Sequence, residues 1–71
     1  MDNTPALSIA LNGAERRVRA RTIAELLAEL GLPVERIGIR LNERLIRRAD
    51  WEKEPLGEGD RVEIQHFIGG G

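Results

Sequence analysis

The 71 residues predict an α+β domain in which a mixed sheet of about five strands packs on one main helix. Three observations carry this expectation. Apolar residues alternate with period two around Leu7, Ile9 and Leu11, around Ile37, Ile39 and Leu41, and around Val62 and Ile64. One segment alone shows helical spacing, at Ile23, Leu26, Leu27 and Leu30. The chain also opens on a tight-turn dipeptide, Asn12-Gly13, so its first two strands form a hairpin and not a strand-helix-strand crossover.

In the first hairpin, Leu7, Ile9 and Leu11 alternate with Ser8 and Ala10, and Val18 lies on the returning strand. That strand and the residues after it carry Arg16, Arg17, Arg19 and Arg21. Such a charge run suits a sheet edge, because charged side chains discourage a second chain from pairing there.

Thr22 precedes Glu25 by three residues, the spacing of a capping box, and the apolar face of the helix follows at once. Gly31 fits the left-handed position after the last turn, Leu32 can fold back on that turn, and Pro33 blocks continuation.

A second hairpin is expected from Ile37, Ile39 and Leu41, a turn at Asn42-Glu43, and a short strand at Leu45-Ile46 ended by Arg47 and Arg48. Residues 49 to 60 hold Pro55, Gly57 and Gly59 without a sustained period, which predicts a loop with one short helical turn near Trp51. Val62, Ile64 and His66 mark the last strand. The order hairpin, helix, hairpin, connection, strand describes a β-grasp (ubiquitin-like) fold, with the first and last strands paired in parallel at the centre and the helix covering the apolar face. Residues 1–66 are expected to form this single domain and residues 67–71 a flexible C-terminal tail.

Composition narrows the function. A chain this short buries only about 60% of the surface its unfolded form exposes, which leaves little wall for a substrate-enclosing pocket and weighs against an enzyme. Net charge is -1, with none of the basic excess that nucleic-acid binding demands. There are no cysteines, so disulfides, thiolate nucleophiles and cysteine zinc sites are excluded. No apolar run approaches the roughly 20 residues that span a bilayer, and the first residues lack a signal-like pattern, so a cytoplasmic location is expected.

The remaining chemistry lies in the tail, Phe67-Ile68-Gly69-Gly70-Gly71. Three terminal glycines arise by chance in roughly 0.03% of chains. Lacking side chains, they let an extended segment thread a narrow tunnel and leave the terminal carbonyl open to attack. A carboxylate is inert until activated, for instance as an acyl-adenylate, and no glycine-rich phosphate loop of this chain could supply that chemistry. The tail therefore reads as a substrate, with Gly71 as the reacting residue, Gly69 and Gly70 as recognition positions, and Phe67 and Ile68 as an apolar pair that a partner grips.

The element order, the segment Leu56-Gly57-Glu58-Gly59-Asp60-Arg61-Val62 and the tail together resemble the ThiS family, the sulfur carriers of thiamine biosynthesis. Val18 to Leu30, with its Thr-Ile-Ala-Glu-Leu-Leu helix start, and Ile39 to Trp51, with Leu41-Asn42 and Asp50-Trp51, extend the likeness over nearly the whole chain. The resemblance implies that Gly71 is adenylated by a ThiF-type activating enzyme using ATP. It is then converted to a thiocarboxylate with sulfur from a persulfide donor such as a cysteine desulfurase, and thiazole synthase takes the sulfur. The family's glycine-glycine ending maps to Gly70-Gly71, with Gly69 additional. The resemblance further implies a protein that is monomeric when free, needs no cofactor or metal of its own, and meets no nucleic acid or membrane. Three alternatives stay open: a molybdopterin-synthase-type carrier subunit, a ubiquitin-like protein modifier, and an interaction module with an inert tail.

Four other features carry expectations. His66, the only histidine, has no triad or metal constellation around it and reads as a strand residue. Trp51 reads as a partial lid over one end of the core. Phe67 breaks the in-out alternation of Val62 and Ile64, so its ring is expected to face away from the core and meet a partner. The acidic stretch from Asp50 to Asp60 reads as a solvated loop.

Overall fold

The computed structural model describes residues 5–66. Strands β1 (Leu7–Leu11) and β2 (Ala14–Val18) are followed by helix α1 (Ile23–Leu30), strands β3 (Ile37–Leu41) and β4 (Arg44–Ile46), a 3-10 turn over Arg48–Asp50, and strand β5 (Arg61–His66). The sheet order is β2-β1-β5-β3-β4. β5 lies at the centre, parallel to β1 and antiparallel to β3, while the outer pairs are antiparallel hairpins. The first and last strands thus pair in parallel, as the sequence predicts. The arginine-bearing β2 is an edge, with Arg16 and Arg17 exposed; β4, the other edge, is only three residues long.

Both hairpins close through residues of positive φ: Asn12 at 49° and Gly13 at 85°, then Asn42 at 51° and Glu43 at 72°. Two consecutive left-handed residues make the type I′ turn, whose twist matches that of the flanking strands. Glycine suits the second position, and Glu43 occupies it with a Cβ that this conformation disfavours.

Helix α1 starts where the Thr22 hydroxyl accepts from the Glu25 amide at 3.1 Å. The reciprocal bond is displaced by one residue from the usual capping box, because Glu25 Oε1 accepts from the Arg21 amide at 2.8 Å. Two more first-turn amides are taken by the connection before β5, Ile23 to the Glu54 carbonyl and Ala24 to that of Trp51, both at 3.1 Å. At the other end Gly31 has φ 69°, its amide donating to Ala28 and that of Leu32 to Leu27, which completes a Schellman motif.

Ile23, Leu26 and Leu27 pack on Ile9, Val18, Ile37, Ile39, Leu41, Ile46, Val62 and Ile64, and no polar residue is buried among those described. Trp51 belongs to this core. It is 5% exposed, and its indole Nε1 donates to the Ile46 carbonyl at 3.0 Å, so it is a packed core residue and more than a partial lid. The acidic connection is likewise more ordered than a solvated loop. Glu54 pairs with Arg44 at 2.9 Å, Glu58 accepts from the Ser8 amide at 3.0 Å, and Asp60 accepts from the Gly57 amide at 2.7 Å.

Candidate functional site

The candidate site lies at the end of β5, the strand that precedes the glycine tail in the sequence. Val62 and Ile64 point into the core, and Arg61, Glu63 and Gln65 are exposed on the opposite face. His66 has the inward parity but is exposed, although its partner on β3, Ile37, is a core residue. The in-out alternation that underlies the Phe67 expectation therefore holds from Arg61 to Gln65 and stops at His66. Phe67, Ile68, Gly69, Gly70 and Gly71 lie outside the described residues.

β5 is longer than its parallel neighbour. The last β1 residue, Leu11, pairs with Val62, so the residues after Val62 have no β1 strand beside them. Asn12 fills this step. Its backbone amide donates to the Val62 carbonyl at 2.9 Å, its side-chain Oδ1 accepts from the Ile64 amide at 2.8 Å, and its Nδ2 approaches the Ile64 carbonyl at 3.4 Å. At the opposite end of β5, Asn42 does the same from the other side. Its amide donates to the Arg61 carbonyl at 2.7 Å and its Oδ1 accepts from the Arg61 amide at 2.8 Å, while Nδ2 donates to Asp60 at 3.1 Å. The central strand is thus gripped from both sides by the first residue of each hairpin turn, at Arg61 by Asn42 and at Val62 and Ile64 by Asn12. Sequence reading took Asn12 and Asn42 only as turn residues. The available signal was the repeated Leu-Asn pair, Leu11-Asn12 and Leu41-Asn42, at the end of each strand that borders β5.

An open groove of about 610 Å³ runs along the outer face of β5, with Ala10 as a small floor and Arg61, Glu63, Gln65 and Glu43 among its walls. Being open, it excludes little water from any bound group and offers no enclosed setting for covalent chemistry. Among the described residues, no cluster of three or more His, Cys, Asp or Glu is placed to hold a metal, and no helix is long and apolar enough to cross a membrane.

Comparison with known proteins agrees with this geometry. The ThiS family model matches residues 9–71. The sulfur carrier protein ThiS of Thermus thermophilus is 33% identical over 61 residues, covering 86% of this chain and 95% of that one. Thiazole synthases of Paramagnetospirillum magneticum and Magnetococcus marinus are 32% and 36% identical over 66 residues, 92% of this chain in each case. This chain spans about a fifth (20%) of the length of those two relatives. The crystal structure of the thiamine biosynthesis protein ThiS from Geobacter metallireducens superposes with a TM-score of 0.81 at 28% identity, covering 92% of this chain and all (100%) of that one. A β-grasp sheet ordered β2-β1-β5-β3-β4 around one capped helix, with a family match that continues to Gly71, places the chain in the ThiS family.

Proposed function

We propose that this chain is a sulfur carrier for thiamine thiazole biosynthesis in which the Gly71 carboxylate is the group that reacts. The observation that carries the reading is the family match, which runs through the domain and on to the terminal glycines at residues 9–71. The names of the relatives favour the thiamine pathway over a molybdopterin carrier or a protein modifier.

The chain acts as a cosubstrate and not as an enzyme. A ThiF-type adenylating enzyme binds ATP; a Gly71 carboxylate oxygen attacks the α-phosphorus, and pyrophosphate leaves. Sulfur from a persulfide donor, such as a cysteine desulfurase, displaces AMP, and reductive release from the donor by a thiol leaves the thiocarboxylate. Thiazole synthase then accepts the sulfur. The chemistry takes place in the cytoplasm, with the carrier monomeric when free.

The geometry explains why the domain is needed at all. Gly71 is five residues beyond His66, and an extended chain covers at most about 18 Å over that distance. In this reading a partner docks against the sheet end and draws Gly71 into its own site, with Phe67 and Ile68 at the mouth and Gly69 and Gly70 in the narrow part. The domain is the handle and the tail is the reagent.

ATP–pyrophosphate exchange with a ThiF-type enzyme tests the activation step. Exchange that depends on this chain and vanishes on deletion of Gly71 is the expected result. Exchange that is equally fast without Gly71 contradicts the reading.

A further inference from the structure

We propose that Asn12 is a positioning residue for the chemistry at Gly71; the proposal rests on the sulfur-carrier reading and adds to it a residue outside the tail. Where a strand outruns a neighbour, its N–H and C=O groups on that side lose their ladder partners and need others. β5 outruns β1 after Val62 and continues as strand to His66. The Asn12 amide group supplies the missing rung, presenting an acceptor to the Ile64 N–H and a donor towards the Ile64 carbonyl, as a backbone unit of β1 would. On the other side β3 holds Gln65 and His66 through Gly38 and Ile37. Asn12 thus extends the two-sided hold on β5 from Val62 to Ile64, and β3 accompanies Gln65 and His66 to the end of the strand.

A second feature separates this role from that of an ordinary turn residue. The left-handed conformation at position 12 requires only a residue that tolerates φ of 49°, which glycine does better than asparagine. The type I′ turn does not need the side-chain amide. Only β5 uses it. Asn42 provides a matched comparison, since it has the same conformation, the same turn position and the same Oδ1 grip on a β5 amide, but at Arg61, the end remote from the tail.

The experiment compares the natural chain with Asn12→Gly and Asn42→Gly in steady-state adenylation by a ThiF-type enzyme, below the melting temperature of all three. Asn12→Gly is expected to lower kcat about fivefold to tenfold with KM changed less than about twofold, because the docking face is intact and only the delivery of the carboxylate is disturbed. Asn42→Gly is expected to lose comparable thermal stability and to keep both constants. Asn12→Asp, which retains the Oδ1 acceptor, is expected to restore most of kcat, with the Ile64 amide still protected from hydrogen exchange. Equal kcat for Asn12→Gly and Asn42→Gly overturns the proposal while leaving the carrier reading intact. Should Asn12→Gly fail to fold, loss of kcat in Asn12→Asp with the Ile64 amide protected overturns it as well. A natural chain that is never adenylated defeats the carrier reading, and this proposal with it.

Discussion

The indole N–H of Trp51 reaches the carbonyl oxygen of Ile46, the last residue of β4, across 3.0 Å in a buried setting. This bond ties the irregular connection to the edge of the sheet. The Trp51 carbonyl in turn accepts the Ala24 amide at the start of α1, so a single residue joins sheet, connection and helix.

Trp51→Phe is expected to destabilise the fold by about 1–3 kcal/mol, since it removes ring volume and leaves the Ile46 carbonyl without its donor. Trp51→Ala is expected to cost about 3–5 kcal/mol, enough to unfold much of so small a domain. Urea titrations followed by circular dichroism read both. As the sole tryptophan, it also reports folding of the natural chain, with fluorescence emission shifting to longer wavelength on unfolding.

The helix start offers a second test. Thr22→Ala removes the acceptor for the Glu25 amide, and Glu25→Ala removes that for the Arg21 amide. Each is expected to cost about 1 kcal/mol in a denaturant titration. Thr22→Ser, which keeps a hydroxyl at the cap, is expected to lie within about 0.5 kcal/mol of the natural chain.

At Glu43 two effects compete. Its carboxylate pairs with Arg61 at 3.0 Å, but both side chains are largely exposed, at 77% and 62%, and such a pair contributes at most about 0.5 kcal/mol. The left-handed backbone, at φ 72°, penalises any Cβ by about 1 kcal/mol. Glu43→Gly and Glu43→Ala lose the ion pair equally, so the glycine variant should be the more stable of the two by roughly 0.5–1 kcal/mol. Alanine equal to or better than glycine in thermal melts would show that the turn is not type I′ in solution.

The fold was largely legible in the sequence because its signals are local. The Asn12-Gly13 turn, the Thr22 cap, the Gly31-Leu32-Pro33 stop and the three period-two runs each specify their own element, and the parallel pairing of β1 with β5 follows from their apolar character and from connections that do not cross. What escaped was set by tertiary packing. The charges around Trp51 suggest a partial lid over one end of the core, yet the ring is 5% exposed and its N–H bonds to Ile46 of β4. The acidic residues of the connection looked solvated, yet Asp60 and Glu58 satisfy backbone amides that are distant or irregular. The roles of Asn12 and Asn42 depend on β5, some 50 and 20 residues away, and no local pattern encodes that partnership. Of the site itself, the tail glycines were apparent from composition, while the side-chain grip that holds the strand before them was not.

The most direct test of the carrier function is the intact mass of the protein after incubation with ATP, a ThiF-type enzyme, a cysteine desulfurase, cysteine and a thiol reductant. Exchange of one terminal oxygen for sulfur adds about 16 Da, and the gain should be absent when Gly71 is deleted. An unchanged mass, with the same enzymes competent on another ThiS-family carrier, would contradict the assignment of Gly71 as a sulfur-bearing residue.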